Sequence, residues 1–425
     1  MTCALTQDSV FEDKYVHKLV CSRPKRGLLL LLVTGLMVSA LCAGCGVDVV
    51  GDEPPLQTLY NPVGMTLHPT GKYLYVVNSN FNLDYREDRG GTVVVIDTDT
   101  LEIVPGGTVQ IGTFGGDIKL NTPSDGEPTR AYVAVRGNGS VTAIDLTENG
   151  AKLRCKGGTL TEDCQIPTER EDPFGVAVAS FDVNIDGADT TVDFVAVAHL
   201  LGGDLTGLTI PGDQIEGFDR SAASLVAGAN DIARSPRNGQ FYVTSRFENA
   251  VVAFRPVLGP DGELAGVFET ATVPISSAPP LSGLDSRGIA FNGDGTMAFV
   301  ANRGPDSLLF LDAGPTDAET GSGTRNEIVD VLPMPSQPSE IAVVNVGERE
   351  LIYVSSFADE SLTIVDPQAR AIIGTIDLIA EPYDLVVDQG RHKRLYATLF
   401  NQDAIAVIDI DETSPSFNQM TAVIR

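Results

Sequence analysis

An apolar unit recurs seven times along this 425-residue chain, and the repeat constrains the fold more than any other feature of the sequence. Each unit starts with a short apolar segment, turns sharply, and continues as a strand that is usually led by an aromatic residue. A third apolar segment, which in most units ends at an aspartate, and a fourth, less regular one follow. The units begin at Pro62, Gly115, Pro173, Ala229, Ser286, Pro338 and Pro382. Their spacing ranges from 44 residues (338 to 382) to 58 residues (115 to 173).

Four short strands in each of seven similar units are the pattern of propeller blades, which close into a ring. The 43 glycines and 25 prolines agree with this, because they supply many turns. We therefore predict that residues 56–425 form an all-β, seven-bladed β-propeller of four-stranded antiparallel blades. The segment Leu56–Tyr60 is expected to pair beside Met420–Ile424 and so to join the first blade to the last. One set of aromatic side chains is expected to pack between blades: Tyr75, Tyr132, Tyr242, Tyr353 and Tyr396.

The repeat also resembles a known family. Unit one contains Pro62-Val63-Gly64, then Tyr75-Val76-Val77-Asn78, then Val95-Ile96-Asp97. These motifs resemble the YVTN β-propeller repeat family, whose pattern is a Pro-x-Gly start, a Tyr-Val-x-Asn strand and a strand ending in Val-Ile-Asp. The resemblance covers about residues 56–425 and implies the fold strongly. It implies activity only loosely, because relatives include lactonases and non-catalytic subunits of periplasmic dehydrogenases.

The N-terminus carries the pattern of a secretory signal peptide. Arg23, Lys25 and Arg26 precede an apolar run over residues 27–41, and small residues follow. Residues 1–44 are therefore expected to be removed on export, and the long polar stretch 1–22 suggests that the true start lies further in. An uncleaved membrane anchor and ordinary secretion with cleavage nearby are the open alternatives.

The end of this leader, Leu41-Cys42-Ala43-Gly44-Cys45, resembles the bacterial lipobox, with the leucine one position earlier than the family prefers. The resemblance implies diacylglycerol on the thiol of Cys45, an acyl chain on its new amino group, and a linker over residues 45–55. Several lipid chains give stable anchoring where one is marginal. Because Gly46 rather than an aspartate follows the cysteine, the resemblance implies the outer membrane. The expected location is thus the cell envelope, on its periplasmic or surface face.

The remaining cysteines support export. Four of the six fall in the leader or would carry lipid, which leaves Cys155 and Cys164 close together in one loop. Such a pair predicts a local disulfide formed in an oxidising compartment. A zinc or redox site is the weaker interpretation, because no second pair completes a metal tetrad and the spacing is not Cys-x-x-Cys.

The charge balance limits the partners. The chain has 29 basic and 57 acidic residues and a net charge of −28. Removing residues 1–44 takes away five basic and three acidic residues, so the mature chain would carry −30 (24 minus 54). Nucleic acid is excluded as the default partner, since binding to a phosphate backbone needs a basic surface.

Equivalent positions in different blades form circles around the central channel, and two circles are polar. At the start of the innermost strands lie the carboxylates Asp117, Asp231, Glu340 and Asp384. Past the second strands, or beside an innermost start, lie Arg136, Arg246, Arg287 and Arg303. Near one mouth of the ring these groups are expected to hold a polar or charged ligand. The alternative is a mutually neutralising ring that only orders the loops.

An acidic loop in the third unit is a second candidate site. Oxygen-bearing residues at suitable intervals and a glycine for the bend suit calcium, the proposed ligands being Asp182, Asn184, Asp186, Thr190 and Asp193. The loop resembles those of dockerins and integrin-type propellers. The alternative is an Asx-rich β-turn without metal.

Absent motifs narrow the function further. The sequence has no Cys-x-x-Cys-His, no Gly-x-Ser-x-Gly and no P-loop, and only four histidines. No cofactor beyond possible calcium is therefore predicted. The sequence favours a monomeric, lipid-anchored, non-catalytic propeller that binds a protein, glycan or small ligand. The alternatives are a lactonase-like hydrolase and a non-catalytic subunit of a periplasmic dehydrogenase, both drawn from the family resemblance.

Overall fold

Runs of valine, isoleucine and leucine form strands in this chain, and glycine, proline and Asx turns end them. The computed structural model describes residues 51–124, 126–155, 164–185, 187–211, 218–275 and 285–425. The predicted leader 1–44, the lipid-carrying Cys45 and the calcium-loop residue Asp186 lie outside the described residues.

The described strands fall into seven sheets in chain order. Blade 1 contains β1 (Pro62–Leu67), β2 (Tyr73–Asn78), β3 (Gly91–Asp97), β4 (Glu102–Ile103) and β5 (Val109–Ile111). Blade 2 contains β6 (Gly115–Leu120), β7 (Arg130–Val135), β8 (Ser140–Thr147), β9 (Lys152–Arg154) and β10 (Gln165–Pro167). Blade 3 contains β11 (Pro173–Ile185), β12 (Ala188–His199), β13 (Leu205–Pro211) and β14 (Asp219–Ala223). Blade 4 contains β15 (Ala229–Arg234), β16 (Phe241–Ser245), β17 (Ala250–Leu258) and β18 (Leu264–Pro274).

The last three blades are more regular. Blade 5 contains β19 (Ser286–Phe291), β20 (Met297–Arg303), β21 (Asp306–Asp312) and β22 (Glu327–Pro333). Blade 6 contains β23 (Pro338–Val346), β24 (Arg349–Ser356), β25 (Ser361–Asp366) and β26 (Ala371–Asp377). Blade 7 contains β27 (Pro382–Asp388), β28 (Arg394–Leu399), a 3-10 turn (Phe400–Gln402), β29 (Ala404–Asp409) and β30 (Gln419–Ile424).

Each blade is an antiparallel sheet whose strands lie side by side in chain order. The first strand of each blade contacts the first strands of both neighbouring blades, so these seven strands surround the central channel. In blades 1 and 2 the outermost strand is split into two segments, β4 with β5 and β9 with β10. The predicted all-β, seven-bladed propeller of four-stranded antiparallel blades is confirmed.

Burial explains why the middle strands are apolar throughout. The first six residues of β3 are all buried, because neighbouring blades cover both faces of the sheet. The outermost strand β26, in contrast, is mostly exposed or half-buried. Within the part of the chain that the structure describes, no helix is long and apolar enough to cross a membrane.

Blade 7 packs directly on blade 1 and closes the ring. The backbone N–H of Asn61 donates to Asp403 at 2.7 Å, and Arg391 forms an ion pair with Asp99 at 2.7 Å. The expected pairing of Leu56–Tyr60 beside the last strand is wrong, because among the described strands β30 pairs with β29 and residues 56–60 form no strand. Leu59 instead packs into the apolar cluster that contains Ile424, so side chains rather than a strand make this seam.

The recurrence of tyrosine in the second strands of five blades also has a structural cause. All five predicted tyrosines are completely buried. Four of them donate a hydrogen bond to the following blade: Tyr75 to Gly150 O (2.9 Å), Tyr132 to Asp193 (2.7 Å), Tyr242 to Asn326 (2.8 Å) and Tyr353 to Asn418 (2.5 Å). Their predicted role between blades is confirmed.

The disulfide between Cys155 and Cys164 is confirmed as well, with a Cα–Cα distance of 5.4 Å. Both cysteines are completely buried. They lie between β9 and β10, so the bond joins the two segments of the split outer strand of blade 2.

Candidate functional site

A β-bulge at the start of every innermost strand positions the polar side chains of the channel. In six blades the ladder between the first and second strands skips two residues, for example between Pro382 and Leu385 in β27, and in blade 1 it skips Val63 alone. The two-residue irregularity also occurs in β6, β11, β15, β19 and β23. A bulge turns its unpaired residues away from the ladder. The second skipped residue is a carboxylate in four blades: Asp117, Asp231, Glu340 and Asp384.

These four carboxylates line one cavity of about 660 Å³, which we call the channel cavity. It extends along the innermost strands to residues beyond their ends, such as Pro69 and Asn121. The structure therefore brings the four predicted acidic residues together.

Three of these carboxylates join neighbouring blades. Asp117 accepts the backbone N–H of Ile118 at 2.8 Å and, with its other oxygen, that of Val176 in blade 3 at 3.1 Å. Asp231 bonds in the same way to Ile232 (2.8 Å) and to Ile289 of blade 5 (2.9 Å). Asp384 bonds to Leu385 (2.7 Å) and to Met65 of blade 1 (2.5 Å). Both oxygens of each aspartate are thus bound to main-chain N–H groups.

The blade that receives each bond has glycine at the equivalent bulge position. A Cβ at Gly175 would lie 2.1 Å from the carbonyl oxygen of Asn230, and one at Gly64 would lie 2.3 Å from that of Gly116. Side chains are excluded there because adjacent blades approach too closely. Glycine in the blade that follows each of the three aspartates is therefore a packing requirement.

Sequence reasoning missed the basic residue of this cluster, Lys119. Its Nζ lies 2.7 Å from Oδ1 of Asp117, and its side chain is 39% exposed because it faces the channel. Lys119 stands two residues after Asp117 on β6, whereas the other innermost strands carry an uncharged residue at that position. The signal in the sequence was this single lysine, since the equivalent positions of the other six blades are uncharged.

Burial and mutual repulsion raise the pKa values of three acids in the channel cavity. Burial raises the pKa of Asp231 from 3.8 to about 6 and that of Asp384 from 3.8 to about 7, although Lys119 opposes both shifts. Burial, with the charges of Asp231 and Asp384, raises the pKa of Glu340 well above its usual range. Burial disfavours the charged form of Lys119, but the charges of Asp117, Asp384 and Asp231 outweigh this effect and raise its pKa. The ammonium group therefore holds the carboxylate cluster together.

The four predicted arginines form a separate group, which we call the arginine group: Arg136, Arg246, Arg287 and Arg303. Arg136 forms an ion pair with Asp172. Asp285 is shared by Arg246 at 3.3 Å and Arg287 at 2.7 Å. Arg303 donates to the carbonyl oxygen of Pro338 at 3.1 Å and to the hydroxyl of Ser339. None of the four lines the channel cavity.

Tyr383 lies at the boundary between the two groups. It is the first skipped residue of its bulge and lines the channel cavity, yet all four arginines act electrostatically on its phenol. Burial raises the pKa of Tyr383, and the arginines oppose that shift. Aromatic rings continue this surface, since Phe400 lies 6.2 Å from the Tyr383 ring and Phe174 lies 6.0 Å from the Arg136 guanidinium. Tyr383 and Asp384 thus both line the channel cavity, but the arginines act on Tyr383 and Lys119 acts on Asp384.

The proposed calcium ligands lie on a β-hairpin. Asp182 and Asn184 belong to β11, and Thr190 and Asp193 belong to β12. Asp182 accepts a hydrogen bond from Thr191 (3.1 Å), whereas Asp193 is buried and accepts from Tyr132 and Ser180 (both 2.7 Å). Strand alternation places Thr190 on the opposite face of the hairpin.

The described residues of the hairpin therefore do not converge on one point. Among the residues that the structure describes, no group of three histidine, cysteine or acidic side chains could hold a metal ion. Calcium binding by this hairpin stays a prediction.

Comparison with known proteins identifies the fold. No protein-family model matches this sequence, and no curated protein matches it. A 6-phosphogluconolactonase-like protein from Bacteroides fragilis is a solved structure with 18% identity and a TM-score of 0.55, covering 78% of this chain and 88% of its own. Hydrazine synthase from Kuenenia stuttgartiensis has 13% identity and a TM-score of 0.53, covering 83% and 96%.

A third solved structure is a β-propeller domain, that of Cps50 from Myceliophteria thermophila. It has 11% identity and a TM-score of 0.55, covering 84% of this chain and 99% of that domain. At such low identities the likeness concerns the fold alone. The chain is a seven-bladed β-propeller with propeller-like structural neighbours.

Proposed function

We propose that this chain is a YVTN-type propeller that is exported, anchored in the cell envelope by lipid on Cys45, and binds a ligand or partner without converting it. The charged and apolar segments before Cys45 support export. The buried disulfide between Cys155 and Cys164 agrees with an oxidising compartment. No nucleic acid is expected as partner, given the net charge of −28.

One observation favours binding over catalysis. Asp117, Asp231 and Asp384 each use both carboxylate oxygens on main-chain N–H groups. Such bonds fix each carboxylate between two blades, and each N–H group that binds the charged form makes the carboxylate a weaker base. These three acids instead stabilise the ring, and the polar surface that remains can hold a small molecule, a glycan or a protein loop.

Anchoring is tested by fractionation and mass spectrometry of the protein purified from membranes. We expect a lipid-modified N-terminal peptide that begins at Cys45, and release of the Cys45→Ser variant into the soluble fraction. Native mass spectrometry of the same sample reports bound metal and partners. A full-length, unmodified N-terminus would contradict the anchoring proposal.

A lactonase-like hydrolase is the second candidate, and Glu340 is the observation that favours it. Glu340 lines the channel cavity, and its Oε1 accepts the N–H of Ile341 at 3.2 Å. It does not bond to a neighbouring blade as the three aspartates do. Its raised pKa would suit an acid catalyst. One structural neighbour is described as lactonase-like.

Hydrolysis assays with a panel of sugar lactones separate the two candidates. Non-catalytic binding predicts no turnover above the uncatalysed rate. Turnover that is lost in Glu340→Gln or Arg246→Ala and retained in the distant surface variant Arg370→Gln would establish the hydrolase instead. Co-purification of one dehydrogenase without lactone turnover would support a subunit role.

A further inference from the structure

We propose that the arginine group binds the oxyanion, carboxylate or phosphate, of a small organic ligand whose remainder lies over the neighbouring aromatic rings. This inference rests on the proposed binding function and specifies its ligand. The sequence left the sign of the ligand open, because carboxylates and arginines were expected to surround one mouth together. In the structure the four carboxylates line the channel cavity, and the four arginines do not.

The bulges cause this separation. In blade 7 the first bulge residue, Tyr383, interacts electrostatically with the four arginines. The next residue, Asp384, interacts electrostatically with Lys119. In blade 5 the first bulge residue is Arg287, and the second is Gly288, which adds no charge. The acids and Lys119 line the channel cavity and the arginines do not. A ligand at the arginines therefore meets a cationic surface.

The guanidinium groups converge. Arg246 and Arg287 bind the same carboxylate of Asp285. The backbone N–H of Arg303 donates to the carbonyl oxygen of Asp285 at 3.0 Å. Arg136 is within electrostatic range of Tyr383, as are the other three arginines. All four arginines thus place positive charge near Tyr383.

Two carboxylates among the described residues form ion pairs with the arginine group, Asp172 with Arg136 and Asp285 with both Arg246 and Arg287. Asp306 lies close enough to Arg303 to interact with it. Two of the four guanidinium groups therefore share one carboxylate. Arg303 bonds only to neutral oxygens in its described hydrogen bonds, those of Pro338 and Ser339. This cluster of arginines occurs in a chain whose net charge is −28.

The neighbouring positive charges of the arginine group repel one another. Burial, together with neighbouring Arg287, lowers the pKa of Arg303 from 12.5 to about 10. Burial and the charge of Arg246 likewise lower the pKa of Arg287. A bound oxyanion would relieve this repulsion, and the planar guanidinium fork matches carboxylate and phosphate oxygens in two parallel hydrogen bonds.

The surroundings favour a ligand with a hydrophobic or sugar-like face. Tyr383 and Phe174 are partly exposed where the channel cavity, which both line, meets the arginine group, and Phe400 packs against Tyr383. Sugar rings and other planar groups bind well against aromatic faces while a polar group fixes their orientation. An acidic sugar or a sugar phosphate fits this combination.

Calorimetric titration with four matched sugars tests the inference: D-glucuronate, glucose 1-phosphate, D-glucose and D-glucosamine. We expect one or both anions to bind at least about tenfold more tightly than glucose, since charge-assisted hydrogen bonds form only with them. The two anions distinguish a carboxylate from a phosphate ligand. Affinity should fall with added salt.

Two variants of the arginine group change affinity in opposite directions. Arg287→Gln leaves Asp285 paired with Arg246, so the fold is retained, and it should weaken anion binding about tenfold. Asp285→Asn removes the internal carboxylate that competes with the ligand, so it should strengthen binding several-fold, which a purely structural residue would not do. Arg370→Gln is the control, because Arg370 lies on the surface, paired with Asp330.

Equal affinity for glucose and both anions, or no anion binding at about 10 mM, would overturn the inference. Unchanged affinity in Arg287→Gln would do the same. Glucosamine binding that is weakened by Glu340→Gln would place a cationic ligand in the channel cavity, so that the binding function stands and the anion site falls. Lactone turnover would reject the non-catalytic function itself.

Discussion

The Tyr132 hydroxyl of blade 2 donates a 2.7 Å hydrogen bond to the Asp193 carboxylate of blade 3. Both side chains are buried, and Ser180 donates to the other oxygen of Asp193 at 2.7 Å. A residue that the sequence presents as the last ligand of a calcium loop is thus an acceptor between two blades. Its carboxylate is used to hold the ring together.

Replacing Tyr132 with phenylalanine is expected to lower the free energy of unfolding by about 1.5–3 kcal/mol, since a hydrogen bond to a charged group is lost inside the protein. Urea denaturation measures this. Tyr73→Phe is the matched control, because Tyr73 is only half-buried, and a change within about 0.5 kcal/mol is expected there. Equal effects of the two substitutions would contradict the assigned role.

Lys119 should contribute more to the free energy of unfolding than an equally exposed lysine on the outer surface. Lys119→Ala leaves the acids of the channel cavity without their cation, and we expect a loss of about 1–3 kcal/mol, below the range for fully buried pairs because the side chain is 39% exposed. Lys152→Ala is a sharp control: Lys152 is also 39% exposed but pairs with a Glu148 that is 61% exposed. There we expect about 0–1 kcal/mol. Urea denaturation at neutral pH distinguishes these outcomes.

The fold was predictable because it depends on repetition. Seven similar units fix the number of blades, and apolar runs as in β3 fix the strands, since blades cover both faces. The buried tyrosines followed from the same pattern. Their partners did not, because Asp193 and Asn326 belong to the following blade, and a repeat pattern does not specify which loop faces a given hydroxyl.

The candidate site was predictable in its residues and not in its arrangement. Position in the unit places Asp384 and Arg287 near the start of an innermost strand. The direction of each side chain depends on the bulge, which leaves Tyr383 beside the arginines and Asp384 beside Lys119. The hydrophobic pattern does not reveal a bulge, because its skipped residues look like ordinary strand residues.

As the pH falls from about 8 to about 5, protonation of Asp231 and Asp384 should increase their contribution to the free energy of unfolding. Their pKa values are raised from 3.8 to about 6 and about 7, so the folded protein binds these protons more tightly than the unfolded chain. The contribution is complete below the unfolded pKa and is lost as the pH rises through the folded values. It is measured as unfolding free energy at several pH values.

Buried His68 and His199 act in the opposite direction, because burial lowers their pKa and they resist protonation. The test is therefore the difference between the wild type and the double variant Asp231→Asn, Asp384→Asn, in which the histidine contributions cancel. That difference should grow in favour of the wild type as the pH falls from about 8 to about 5. A difference independent of pH would show that the two carboxyl groups titrate normally.

Glycine at the bulge should be irreplaceable where blades approach most closely. In Gly175→Ala the new Cβ would lie 2.1 Å from the carbonyl oxygen of Asn230, a backbone atom that moves only if blade 4 moves. We expect a loss of at least about 1–3 kcal/mol, as for other overpacked sites. Gly374→Ala in the outer strand β26 should be tolerated, since its nearest neighbour would be 3.5 Å away.

The shift of blade 4 that Gly175→Ala requires would also disturb Arg246, which follows β16 of that blade, and hence the arginine group. Gly175→Ala should therefore weaken anion binding as well as stability, whereas Gly374→Ala should change neither.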